Sequence, residues 1–137
     1  ETKEIAKRIA KEILLGKPRK EALVLALKGN LGAGKTTFAQ GFAKGLGIKA
    51  KILSPTFNIM KRFKIKDSRF KNFYHIDCYR LKSKKDLEVL DFKEILSDPR
   101  NIIVIEWPEK VKGILLKNVF SIKFKHLKEE KRLLTIE

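Results

Sequence analysis

The sequence predicts an α/β domain of three layers, with a mixed, mainly parallel sheet and antiparallel hairpins. Three observations carry this expectation. Two apolar runs, residues 22–27 (ALVLAL) and 101–106 (NIIVIE), are continuous rather than alternating, as strands buried on both faces of a parallel sheet are. Helical periodicity lies on either side of the first run. A glycine-rich stretch, residues 27–38 (LKGNLGAGKTTF), joins that run directly to the second helix. With 137 residues and 43% hydrophobic content, a single domain spanning 1–137 with a sizeable core is expected.

In chain order, residues 2–15 place Ile5, Ile9 and Ile13, with Ala6, Ala10 and Leu14, on one helical face. Thr2 is the expected N-cap and Gly16 the stop. The strand over 22–27 follows, then a helix over 35–46 closed by Gly47. From Ile52 the pattern turns β-like. TFNIMKRFKI and FKNFYHIDCYRL flank residues 66–69, which read as a hairpin turn. Ser83 and Asp86 have capping-box spacing ahead of a short helix through Leu90. A further helix over 92–96 ends before Pro99, and the strand over 101–106 follows. The tail reads as an antiparallel hairpin turning at residues 128–130.

The net charge is +16. A basic surface attracts RNA, DNA or an acidic partner through counterion release and steering. Lysine far outnumbers arginine, however, and a lysine-biased composition gives the same sum. The charge permits a nucleic-acid partner without demanding one. Residues 61–71 (KRFKIKDSRFK) interleave six cations with Phe63, Ile65 and Phe70. They fit a contact for tRNA or an acidic protein, and equally an exposed hairpin of alternating orientation. No apolar run is long enough to span a bilayer, and residues 1–4 do not resemble a secretion signal. The chain begins at Glu1 rather than Met, so a native start upstream, or a removed one, is expected. A single cysteine, Cys78, excludes an internal disulfide and fits a reducing, cytoplasmic setting.

Gly29-Asn30-Leu31-Gly32-Ala33-Gly34-Lys35-Thr36 matches the Walker A pattern, between an apolar strand and a helix as that pattern requires. Glycines there let successive backbone N–H groups point at phosphate oxygens, and the helix N-terminus adds its dipole. Lys35 would reach the outer phosphates and the Thr36 hydroxyl would ligate Mg2+. A glycine turn with an incidental lysine is the ordinary alternative, and the flanking strand and helix argue against it. The chain is therefore expected to bind a nucleoside triphosphate in a P-loop domain.

Chemistry needs acids elsewhere. Glu106 ends the buried strand 101–106 in the Walker B layout, and Trp107-Pro108 then bends the chain away. Asp77 ends a more mixed strand, where a catalytic acid and a solvated one fit the spacing equally. His75 reads as a polar neighbour and Cys78 as packing. Ser54-Pro55-Thr56-Phe57 occupies a switch-like position, which a simple Ser-Pro turn also explains. Ser83-Lys84-Lys85-Asp86 lacks the amide that guanine readers use, leaving adenine as the expected base.

Taken in order, GNLGAGKTT, SPTF, HIDCYRL and EWPE resemble the bacterial TsaE (YjeE) ATPase family, and these motifs span residues 29–109. The resemblance implies a small P-loop ATPase that uses ATP and Mg2+. It implies two protein partners, TsaD and TsaB, which install threonylcarbamoyl on an adenosine of tRNA. The family member does not transfer the group; its ATP hydrolysis drives or resets the TsaB–TsaD complex, with tRNA reached through that complex or, as a second reading, directly. By motif, Gly29, Asn30, Gly32, Ala33, Gly34, Lys35, Thr36 and Thr37 would hold the nucleotide, with Thr56 as the switch-like residue. Glu106 would lie at the metal with Thr36, Asp77 would support hydrolysis, and Trp107 would accompany the acid. Thr2 is a looser match for a residue near the nucleotide. Asn30 departs from the family, which usually has an acid there; asparagine keeps the turn-forming side chain and loses the charge.

Two other classes compete. A small P-loop kinase of a nucleoside or metabolite would normally carry an arginine-bearing lid, and the seven arginines here are scattered. A basic RNA-binding module with a weak nucleotide site would keep its RNA affinity without Lys35.

Overall fold

In the computed structural model, the described residues are 2–29, 34–49, 60–66, 68–79, 91–111, 119–126 and 132–136. Helix α1 (Thr2–Leu15) precedes strand β1 (Leu23–Lys28) and helix α2 (Lys35–Gly45). Strands β2 (Met60–Lys64) and β3 (Asn72–Asp77) follow, then helix α3 (Phe92–Ser97) and strand β4 (Asn101–Glu106). A 3-10 turn, Pro108–Val111, leads toward β5 (Val119–His126) and β6 (Arg132–Ile136).

The six strands form one sheet in the order β2-β3-β4-β1-β5-β6. The inner four are parallel, and β2 and β6 are antiparallel edges. This is the mixed, mainly parallel sheet expected from the two apolar runs. Those runs became β1 and β4, neighbours in register from Leu23 opposite Ile102 to Leu27 opposite Glu106. Both are buried along their length except at Lys28.

Alternation of side chains divides the core into two layers. Leu23, Leu25, Leu27, Ile102, Val104 and Phe73 pack beneath α1 and α2. Val24, Ile103, Ile105, Tyr74 and Ile76 face Phe92 and Leu96 of α3. Helices thus cover both faces, which is why β1 and β4 carry no polar alternation.

On α1 the face differs in detail from the sequence expectation. Ala6 and Ala10 are fully buried, Ile9, Ile13 and Leu14 pack partly, and Ile5 is exposed. The cause is the partner helix. Gly41 and Gly45 of α2 lie so close to the backbone of α1 that only small residues fit between. Thr2, expected as the cap, is already helical. Helix α2 ends where Gly47, at φ +84°, donates its N–H to the Lys44 carbonyl. The helix over 83–90, the hairpin turn at 128–130 and the SPTF segment lie outside the described residues.

Candidate functional site

Three side chains on one face of the sheet converge at the ends of β3 and β4. Asp77 and Glu106 are register partners on adjacent parallel strands, about 4.8 Å apart at the backbone. His75, two residues before Asp77, shares its face. Leu27 stands opposite Glu106 on β1 and packs beneath α2, so this is the face on which the glycine-rich loop and α2 begin.

After β1 the chain moves to the β4 side of the sheet, to the edge strand β2 and then back to β3, whereas after β4 it crosses to the other side of β1 to reach β5. The strand order therefore reverses between β1 and β4. In such sheets the crevice beyond the carboxyl ends of those strands is where ligands bind.

Lys35 occupies this crevice. It is 4% exposed, and its Nζ donates to the Gly29 carbonyl oxygen at 2.9 Å. The same Nζ lies 3.7 Å from the centre of the Trp107 ring, a cation–π contact. Burial pushes the Lys35 ammonium below its ordinary value, and the charges of Glu106, Asp77 and Glu109 oppose that shift. Trp107 reaches this position because its backbone turns left-handed, at φ +59°, directly after Glu106. Tyr79 packs against it, ring centres 5.1 Å apart.

Glu106 is 3% exposed and His75 1%. His75 Nε2–H donates to Glu106 Oε2 at 2.6 Å, giving the buried carboxylate a polar partner. Asp77 Oδ1 accepts the backbone N–H of Tyr79 at 3.0 Å, which fixes the turn after β3. Cys78 points to the opposite layer, fully buried, so it is packing as the sequence suggests.

The start of α2 suits phosphate. Gly34 precedes it at φ +97°, a conformation open to glycine, and among the described residues no side chain caps the helix. The first helical hydrogen bond runs from Phe38 N–H to the Gly34 carbonyl, leaving the N–H groups of the first turn free of intrahelical acceptors. Thr36 and Thr37, half-buried, sit in that turn. Gly29 is constrained from another side: a Cβ there would meet the Phe124 carbonyl oxygen of β5 at 2.8 Å.

Among the described residues, no three His, Cys, Asp or Glu side chains cluster as a closed metal site. The two carboxylates at the strand ends, Asp77 and Glu106, are the side chains that could hold a hard divalent cation here.

The structure thus gathers Gly29, Gly34, Lys35, Asp77, Glu106 and Trp107 at one crevice. Asn30, Gly32, Ala33 and Thr56 lie outside the described residues. Sequence reasoning missed the contact of His75 with Glu106, and the place of Glu109 and Tyr79 beside the site. The signal for His75 was its two-residue spacing from Asp77 on a strand.

The family model described as "Threonylcarbamoyl adenosine biosynthesis protein TsaE" matches residues 1–134. The chain belongs to the TsaE family. A relative in Rickettsia felis, a tRNA threonylcarbamoyladenosine biosynthesis protein TsaE, is 39% identical over 137 residues, covering 99% of this chain and 74% of its own length. One of the same description from Borreliella burgdorferi is 41% identical over 103 residues, covering 74% of this chain and 72% of its own. The crystal structure of Bacillus subtilis YdiB superposes with a TM-score of 0.69 at 32% identity, covering 98% of this chain and 78% of that one. As in the family to which these TsaE proteins belong, the process concerned is biosynthesis of threonylcarbamoyladenosine in tRNA.

Proposed function

We propose that this chain binds ATP with Mg2+ and hydrolyses it, and that the cycle drives or resets a TsaB–TsaD complex that modifies tRNA. The observation that carries the reading is the burial of Lys35 against Gly29 and Trp107, within the influence of two strand-end carboxylates, Asp77 and Glu106. A lysine held there has a ready exchange: it leaves the Gly29 carbonyl and the Trp107 ring for the outer phosphates of a nucleotide. Family membership supports the same reading.

In this mechanism the first-turn N–H groups of α2 and the loop glycines bind the phosphates, with Lys35 cancelling charge at the outer two. Bound Mg2+ would supply further neutralisation of phosphate charge. Thr36 and Glu106 are the residues to hold it, Glu106 also facing the attacking water. Asp77, one strand over, holds the turn that carries Tyr79 against Trp107 and so helps keep water out. The chain carries out no group transfer to tRNA. Its activity belongs in the cytoplasm; among the described residues, no helix is long and apolar enough to cross a membrane.

The test is phosphate release from ATP, alone and with purified TsaD and TsaB. Slow hydrolysis that the two partners accelerate is expected. Partners that neither bind the chain nor change its rate would remove this reading.

A further inference from the structure

The end of the sheet away from Lys35 is cationic. The strands β1, β3 and β4 run parallel, so Leu23, Asn72 and Asn101 begin them at one end while Gly29, Asp77 and Glu106 follow or finish them at the other. Lys17 and Lys20 lead into β1 at that far end. The β2–β3 hairpin brings Lys64, Lys66, Arg69 and Lys71 to it, because Lys64 pairs with Asn72.

These segments form one surface. Arg69 Nη2 donates to the Lys17 carbonyl oxygen at 2.8 Å, and Lys71 N–H donates to the Arg100 carbonyl oxygen at 2.7 Å. All six cations are exposed, and among the described residues no ion pair joins any of them to a carboxylate. Asp98, the acid in the adjoining turn, is held by Arg100 at 2.8 Å. Six like charges on one surface repel one another, a cost that bound phosphates would relieve.

The surface also carries an aromatic. Phe120, early in β5 opposite Leu25, is 41% exposed, and the Arg19 guanidinium lies 5.6 Å over its ring. A stacked ring and guanidinium form the platform on which unpaired bases stack. From β2 to β5 is four inter-strand steps, about 19 Å at roughly 4.8 Å each, so the platform and the hairpin flank a broad basic stripe.

We propose that this stripe is a binding surface for the phosphate backbone of tRNA, with Phe120 and Arg19 receiving an unpaired base. The proposal rests on the family's place in tRNA modification. An acidic protein would satisfy the cations but leave the Arg19–Phe120 platform without a purpose. The stripe is a strand's length, about 20 Å, from Lys35, so tRNA and nucleotide bind independently of one another.

The experiment measures binding of an unmodified tRNA transcript to the full chain by fluorescence anisotropy, at salt from about 50 to 200 mM. The triple variant Lys64→Gln, Lys66→Gln, Lys71→Gln is compared with Lys3→Gln, Arg8→Gln, Lys11→Gln, which removes the same charge from the exposed face of α1. Circular dichroism checks that both fold. The hairpin variant is expected to lose at least roughly tenfold in affinity, with its salt slope shallower by about two to three. The α1 variant stays within about twofold of wild type, and Lys35→Ala keeps full tRNA affinity. Equal losses in both triple variants, or no tRNA binding by the wild-type chain, would overturn the proposal. So would polyglutamate competing as well as tRNA, which would assign the stripe to an acidic protein. In each of those cases hydrolysis accelerated by TsaD and TsaB would still stand, so the two readings fail separately.

Discussion

His75 and Glu106 come from adjacent strands and meet at 2.6 Å, both nearly sealed from solvent. The imidazole N–H fixes one carboxylate oxygen, and the charge of the carboxylate acts on Lys35. A buried carboxylate stripped of its donor loses both orientation and a polar partner, at about 1–3 kcal/mol for an unsatisfied group. His75→Ala is therefore expected to lower kcat by roughly 10- to 100-fold, the range for a residue that orients a catalytic ligand. KM for ATP should change little, because His75 meets Glu106 whereas Lys35 is held by Gly29 and Trp107. His75→Gln, which can still donate, should recover part of the rate. Equal losses in His75→Ala and His75→Gln, matched by an equal fall in stability, would make the pair structural only.

Trp107 is the chain's single tryptophan, and its ring carries the Lys35 ammonium at 3.7 Å. A nucleotide that draws Lys35 to its phosphates removes that cation from the ring face. Intrinsic fluorescence should therefore change on titration with ATP, and the change should saturate. Lys35→Ala should abolish the response together with most of the affinity. Full nucleotide affinity in Lys35→Ala would place the phosphates elsewhere.

Helix α2 has two glycines whose replacement sets two effects against each other. Alanine raises helix propensity by about 1 kcal/mol over glycine in a helix interior. At Gly45, however, a Cβ would meet the Lys7 carbonyl oxygen at 2.5 Å and the Ala10 Cβ at 2.7 Å; at Gly41 it would meet the backbone of Lys3. Backbone cannot rotate aside, and overpacking of this kind typically costs about 1–3 kcal/mol. Gly41→Ala and Gly45→Ala should each lower the urea midpoint. Stabilisation by either would mean that α1 stands further from α2.

What could be read from residues alone follows the range of the forces involved. Continuous apolar runs mark β1 and β4 because both faces of each are covered, and Glu106 is marked by ending such a run. Lys35 is marked by local backbone chemistry. The insertion of β1 between β4 and β5 is not marked, since a strand's own pattern says that it is buried and not by which neighbours. The buried face of α1 is misjudged for the same reason. Ile5 has the right period, yet Ala6 and Ala10 are sealed because Gly41 and Gly45 admit only small residues. The four-residue spacing of those glycines was visible, but the α1 residues they meet, Lys3, Lys7 and Ala10, lie far upstream in the sequence. His75 and Trp107 likewise acquire their roles from residues distant in sequence, Glu106 in one case and Lys35 in the other.

Cys78 gives the last prediction a pH axis. Its thiol is fully buried between β3 and α3, and burial, with smaller contributions from Asp77, Glu109 and Glu106, pushes it up from 9.0 to about 12. In the unfolded chain the thiol ionises near its ordinary value, whereas the fold keeps it protonated. Between those two values the unfolded chain binds fewer protons, so stability falls as pH rises. The contribution is complete below about pH 9 and is lost on the way to 12, with a slope of at most about 1.4 kcal/mol per pH unit. Cys78→Ala should be less stable at neutral pH because of the cavity, but its stability should decline less steeply over that alkaline window. Urea denaturation at several pH values measures both slopes. The same burial should keep the native thiol unreactive toward a disulfide reagent near pH 8 and make it reactive once urea unfolds the chain. A thiol that reacts at once in the native protein, or parallel slopes for the two proteins, would contradict the burial of Cys78.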